Sequence, residues 1–119
     1  LRRITGGTAL ADYLATTTKG DGQMTHEFKI AEDMDAHGMG NLRSSLEELA
    51  IKGGDILLDL DNVRFIDSSG VGGIVFLFKR LTSARRTLML KNVSGQPLRL
   101  LTHLGMGQLL VNIPLKSAA

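Results

Sequence analysis

Residues 55 to 81, D-I-L-L-D-L-D-N-V-R-F-I-D-S-S-G-V-G-G-I-V-F-L-F-K-R-L, read as a buried strand, a short polar connection, an Asp67-Ser68-Ser69-Gly70 turn and an amphipathic helix. Ile56, Leu57, Leu58 and then Leu60 form a nearly continuous apolar run, the pattern of a strand covered on both faces. Ile74 to Phe78 would suit a strand by composition. However, Val71, Ile74, Val75, Phe78 and Leu81 recur at the spacing of one helix stripe, so a helix is predicted. Gly72 and Gly73 each cost that helix roughly 1 kcal/mol relative to alanine, which close packing against the sheet would offset. Two hydroxyls thus stand where a helix begins. Backbone N–H groups are unpaired at such a start and the helix dipole favours negative charge, so a phosphate on either serine would be well received.

Working outward, Gly53-Gly54 closes a preceding helix in which Met39, Leu42, Leu46, Leu49 and Ala50 share one face, with Arg43, Glu47 and Glu48 on the other. Before it lies the acidic connection from Ala31 to Asp35. A β-hairpin is predicted earlier still. Its first arm begins near Thr8 and includes Tyr13, Leu14 and Thr16 to Thr18; its turn is Lys19-Gly20-Asp21-Gly22; its second arm is Met24 to Ile30, with Met24, His26, Phe28 and Ile30 on one face. Downstream, Thr87 to Lys91 reads as a strand, Asn92 to Gly95 as a loop, Pro97 to Leu104 as a helix stopped by Gly105, and Leu109 to Ile113 as a last strand ended by Pro114. The fold class is α/β: a mixed, largely parallel sheet of about five strands with helices packed on it and the antiparallel hairpin at its start. One domain is expected over residues 8–113, with 1–7 and 114–119 as flexible tails.

Composition narrows the function. The 119 residues contain no cysteine, which removes disulfides, thiolate metal sites and cysteine nucleophiles and fits a reducing compartment such as the cytoplasm. Aromatics make up 4%, so the core rests on Leu, Ile, Val and Met. No apolar run approaches the roughly 18 residues of a membrane span. With 14 basic and 12 acidic residues the chain is near neutral, and Lys79-Arg80 and Arg85-Arg86 are isolated pairs rather than a nucleic-acid stripe.

Three chemistries are considered and set aside. His26, His37 and His103 lack ligand spacing, so no metal site is expected. Gly70-Val71-Gly72-Gly73 has Val75 where a dinucleotide fingerprint needs its third glycine. Ile66-Asp67-Ser68-Ser69-Gly70 half matches a nucleophile elbow, but Ile66 replaces the leading glycine and His103 is the lone downstream base, which leaves a small hydrolase a remote third reading. The plainest account of Asp67-Ser68-Ser69 is a helix cap eased by Gly70.

The order of elements, together with Leu58 to Gly73, resembles the STAS family and especially the bacterial anti-sigma factor antagonists, where an apolar strand and polar link lead into Asp-Ser-Ser/Thr-Gly-Leu/Val-Gly. Lys29 to Asp35 is similar to that family's second strand running into G-x-x-D, with Asp35 matching the aspartate; L-M-L-K-N-V-S and L-R-L-L-T-H-L-G-M resemble its fourth strand and third helix. The likeness spans about Met24 to Ile113. Glu32 stands where the family usually has glycine, Leu1 to Gly22 match poorly, and the family's final helix is expected to be absent or to lie beyond this sequence.

The resemblance implies a protein-interaction switch and not an enzyme, with no cofactor. Ser68 is the implied phosphoacceptor, with Ser69 as the fallback. Asp67 caps the helix and orients the serine, Asp35 flanks the site, Gly70 admits a kinase loop, and Ser69 and Val71 complete the partner-binding surface. The implied partners are an anti-sigma factor that is itself a serine kinase, bound by the unphosphorylated form, and a phosphatase that restores the serine. An alternative within the family is a STAS accessory module that docks onto a transporter or signalling assembly without phosphorylation.

Overall fold

The computed structural model describes residues 17–18 and 24–111. Strand β1 (Thr17–Thr18) is followed by β2 (Met24–Lys29), α1 (Ala36–Ile51), β3 (Asp55–Asp59), α2 (Ser68–Ser83), β4 (Leu88–Lys91), α3 (Gly95–His103), a 3-10 turn (Gly107–Leu109) and β5 (Leu110–Val111). The sheet runs β1-β2-β3-β4-β5, in chain order. β1 pairs antiparallel with β2, Thr17 opposite Thr25 and Thr18 opposite Met24, while β2 to β5 are mutually parallel. The expected hairpin is present in those two pairs; its turn, its start near Thr8, the two tails, residues 112–113 of the last strand and the question of a final helix lie outside the described residues.

Each parallel neighbour needs a crossover, and the helices supply it. Strand register aligns His26 with Ile56 and Leu88, and Phe28 with Leu58, Leu90 and Leu110, on one face of the sheet. Ile56, Leu58, Leu88 and Leu90 are buried there with Met39, Leu46, Leu49, Ile74, Leu77, Leu81 and Leu101 from the helices. The other face differs from expectation. Leu57 and Met89 are half-buried on it, Asp55 and Asp59 are buried, and Glu27 pairs there with Lys91, so among the described residues β3 has an apolar layer on one face and a polar, partly covered one on the other. Its apolar run instead reflects a central position in the sheet.

The helix over residues 71 to 81 also departs from the single stripe expected. Leu77, outside that stripe, is fully buried, whereas Val75 and Phe78 are only half-buried. Gly73 does serve close packing, but against α1: a Cβ there would lie 2.5 Å from the Met39 methyl and 3.1 Å from Leu46 Cδ1, while one on Gly72 would meet nothing within 4 Å. Wedged between the sheet and α1, the helix buries a broader arc than a single stripe.

Arg86 fastens the far end of this layer. Its guanidinium donates to the carbonyls of Gly54 (2.5 Å), Ala50 (2.7 Å) and Leu49 (3.0 Å), so the last carbonyls of α1 are capped by a cation. Burial pulls its pKa below the usual guanidinium value, Asp55 opposes that, and the group stays charged. Arg86→Ala is expected to lower stability by about 3 kcal/mol, with Arg86→Lys intermediate. The result would be a lower urea midpoint at an unchanged m-value; an unaltered midpoint would remove Arg86 from the frame.

Candidate functional site

The parallel sheet sends every helix start to the same end of the molecule, where the segments preceding α1 and α2 meet. They pair as strands in miniature: Met34 N–H donates to the Phe65 carbonyl (3.0 Å), Asp67 N–H donates to the Met34 carbonyl (3.1 Å), and Met34 and Ile66 form an isolated parallel bridge. Two further side chains hold the second segment. Asp33 Oδ1 accepts from Arg64 N–H (2.7 Å) and Phe65 N–H (3.3 Å). Gln96, in the first turn of α3, donates through Nε2 to the Ile66 carbonyl and accepts through Oε1 from Ile66 N–H, both at 2.9 Å. Ile66 is thus gripped from both sides, by Met34 and by Gln96.

Asp67 follows as N-cap of α2 with an extended backbone. Its Oδ1 accepts from Ser69 N–H (2.8 Å), Ser69 Oγ–H (2.6 Å) and Gly70 N–H (3.2 Å). Its Oδ2 accepts from Ala36 N–H (3.1 Å), the first residue of α1. One carboxylate therefore serves two helix starts. Asp35 caps α1 in its own right, accepting from Gly38 N–H at 2.8 Å. Asp35, expected to flank the site, is partly exposed and directly precedes the residue whose amide donates to Asp67.

This alters the expected electrostatics. Two of the amides at this helix start, those of Ser69 and Gly70, already belong to the Asp67 carboxylate. An anion arriving on a nearby hydroxyl meets a negative charge where two of the helix-start donors are already taken. The Ser69 hydroxyl bond, foremost, and the Gly70, Ser69 and Ala36 amides hold the Asp67 pKa below the ordinary carboxylate value, with burial opposing them. Because the folded value is depressed, the unfolded chain binds more protons in the acid range. The contribution of Asp67 to stability is complete above its unfolded pKa of about 4 and disappears as pH falls through the lower folded value. Urea titrations between about pH 5 and pH 2 should show a shallower pH slope for Asp67→Asn than for the wild type. Parallel slopes would exclude this linkage.

The two serines are unequal. Ser69 is partly buried and its hydroxyl is committed to Asp67, whereas Ser68 is exposed and its hydroxyl has no hydrogen-bond partner among the described residues. Gly70 is buried for an internal reason: a Cβ there would lie 2.2 Å from the Met34 carbonyl oxygen. Its lack of a side chain is required by the Met34 segment. Val71 is half-buried against the core.

A STAS domain model matches residues 16–118. The chain belongs to the STAS domain family. It is similar to the anti-sigma-B factor antagonist of Bacillus subtilis (strain 168), 32% identical over 91 residues, which are 76% of this chain and 83% of that protein. The anti-sigma-B factor antagonist of Listeria monocytogenes is 30% identical over 82 residues, 68% of this chain and 72% of the relative. Among solved structures, the phosphorylated form of the Bacillus cell fate determinant SpoIIAA superposes with a TM-score of 0.59 at 20% identity, covering 87% of this chain and 96% of that one, which shows a common fold.

Within this STAS domain, Glu32 holds the position where glycine was expected. It is exposed and accepts from Asn41 Nδ2 at 3.1 Å. Among the described residues only Arg85 and Asn92 carry a positive φ without being glycine, so the backbone at Glu32 makes no demand for one. His37 and His103 are exposed and His26 is buried in β2; among the described residues no three metal-ligating side chains converge. No described helix is long and apolar enough to cross a membrane. Asp33 and Gln96, which brace the STAS site, escaped the sequence reading. They act across about 30 positions of chain, and no local pattern marks such a partner.

Proposed function

We propose that this STAS domain is a phospho-switchable interaction module: an anti-sigma factor antagonist that binds an anti-sigma factor when Ser68 is free and is released once that anti-sigma factor, acting as a serine kinase, has phosphorylated Ser68. A phosphatase resets it. The chain is substrate and ligand in this scheme, it needs no cofactor, and it acts in the cytoplasm. The names of its relatives support the antagonist role. The single observation that favours Ser68 is its exposed hydroxyl beside a Ser69 hydroxyl already occupied by Asp67.

The chemistry of release follows from the charges. Phosphoserine adds about −1.5 to −2 charges and three acceptor oxygens. At Ser68 that charge stands next to Asp67, whose carboxylate already fills the helix start. During transfer Ser68 faces the nucleotide, so the product dianion confronts the phosphates that remain there, and the acidic, hydrated patch it creates must be desolvated for the complex to persist. Asp35, Asp67, Ser69 and Val71 complete the contact surface, and Gly70 contributes through its packing beneath it. Incubation with a purified anti-sigma factor kinase of the source organism and ATP, followed by intact mass, tests the reading. One added phosphate on the wild type and none on Ser68→Ala is the expected result. Loss of phosphorylation in Ser69→Ala but not in Ser68→Ala would transfer the role to Ser69, and no phosphate on the wild type would reject the switch.

A further inference from the structure

Four large apolar side chains are conspicuously exposed among the described residues: Met24 (36%), Ile51 (76%), Phe65 (45%) and Leu104 (47%). Met24 opens β2, while Ile51 and Leu104 stand at the ends of α1 and α3, all at the end of the sheet remote from the helix starts. Phe65 alone of the four lies beside Ser68. Its exposure does not come from a loose loop. Phe65 N–H donates to Asp33 Oδ1, its carbonyl accepts from Met34 N–H, and the next residue is held in the Gln96 fork. An aromatic ring is thus carried into solvent on a backbone whose polar groups are already satisfied.

Such a ring can bury its surface in a partner with little ordering of the chain that bears it, which is the condition for a strong anchor. Aromatic side chains are also enriched at the centres of protein interfaces. The surroundings describe the complementary surface. Glu32, Asp33, Asp35 and Asp67 lie on the two segments that meet here, with Arg64 the one exposed arginine or lysine on them. We propose that Phe65 is the apolar anchor of the docking surface around Ser68, entering an apolar pocket rimmed by lysine or arginine on the anti-sigma factor kinase. This rests on the Ser68 switch described above, and it names the partner's chemistry and a contact residue outside the Asp67–Val71 block. The basic rim meets the fixed carboxylates, whereas Ser68 itself faces nucleotide, so phosphorylation still opposes the complex.

The test uses the full chain and the kinase that phosphorylates it in the mass experiment, loaded with ADP. Phe65→Ala and Phe65→Gln should each weaken binding about 30-fold or more, the effect of a hot-spot residue. In ATP turnover their KM for phosphorylation should rise in proportion while kcat stays unchanged. Both variants should melt close to the wild type, since the ring is exposed. Arg64→Glu removes the one cation from the acidic rim and should tighten binding, with the gain fading as salt is raised. Binding by either Phe65 variant within threefold of the wild type, or weaker binding by Arg64→Glu, would overturn the anchor while leaving the switch intact. Failure of the wild type to bind or be phosphorylated would reject the switch, and the anchor with it.

Discussion

Gly70→Ala is expected to lose about 3 kcal/mol or more of stability, which for a domain of this size is a fall in Tm of roughly 10–20 °C. The added methyl would come 2.2 Å from the Met34 carbonyl oxygen, 2.7 Å from Met34 Cβ and 2.9 Å from Ile66 Cγ2. The nearest of these is backbone, and that same carbonyl accepts from Asp67 N–H. Relieving the clash means parting the Met34–Ile66 bridge on which both helix starts rest. Gly72→Ala is the matched control. Two positions along the same helix, its methyl meets nothing within 4 Å, so helix propensity dominates and a gain of about 0.5–1 kcal/mol is expected. Thermal melts of the two variants should move in opposite directions; a Gly70→Ala melt that overlays the wild type would discard the packing account.

The second large effect is on binding. Ser68→Asp should bind the anti-sigma factor kinase about 30–100-fold more weakly than wild type, equivalent to some 2–3 kcal/mol. Ser68→Ala should bind within a few-fold of wild type and resist release by ATP. The fold of both should persist, because Ser68 is exposed and its hydroxyl anchors nothing among the described residues. A carboxylate carries less charge than phosphoserine, so the aspartate gives a lower bound on the natural effect. Equal affinities for the two variants in calorimetric titrations would remove the electrostatic basis of the switch.

Much of this architecture is legible in the sequence because it is locally encoded. Gly53-Gly54 after Ile51, Pro97 in the first turn of α3 and Gly105 after its end each mark a boundary through backbone chemistry, and the structure places the elements accordingly. Resemblance located the Asp67–Gly70 block, and the STAS family match bears out the family reading. The errors have one origin: periodicity reports which residues share a face, but not how many neighbours that face has. Leu77 was missed because α2 packs on α1 as well as on the sheet, and Leu57 was over-read because a central strand and a doubly covered strand share one composition.

The site shows the same division more sharply. A capping aspartate before two serines can be read from residue types, and its own helix bonds were foreseeable. Its second oxygen, on Ala36 some 31 positions earlier, was not. Residue types alone do not distinguish Ser68 from Ser69, since the difference lies in which hydroxyl falls within 2.6 Å of that carboxylate.

The double grip on Ile66 has a consequence for synthesis. Met34 lies well upstream of the serines, but Gln96 lies well downstream, at the start of the last helix. A chain emerging from the ribosome can assemble the first strands and helices and still lack one jaw of the clamp. The clamp around Ile66 closes only once the third helix has been made and seated.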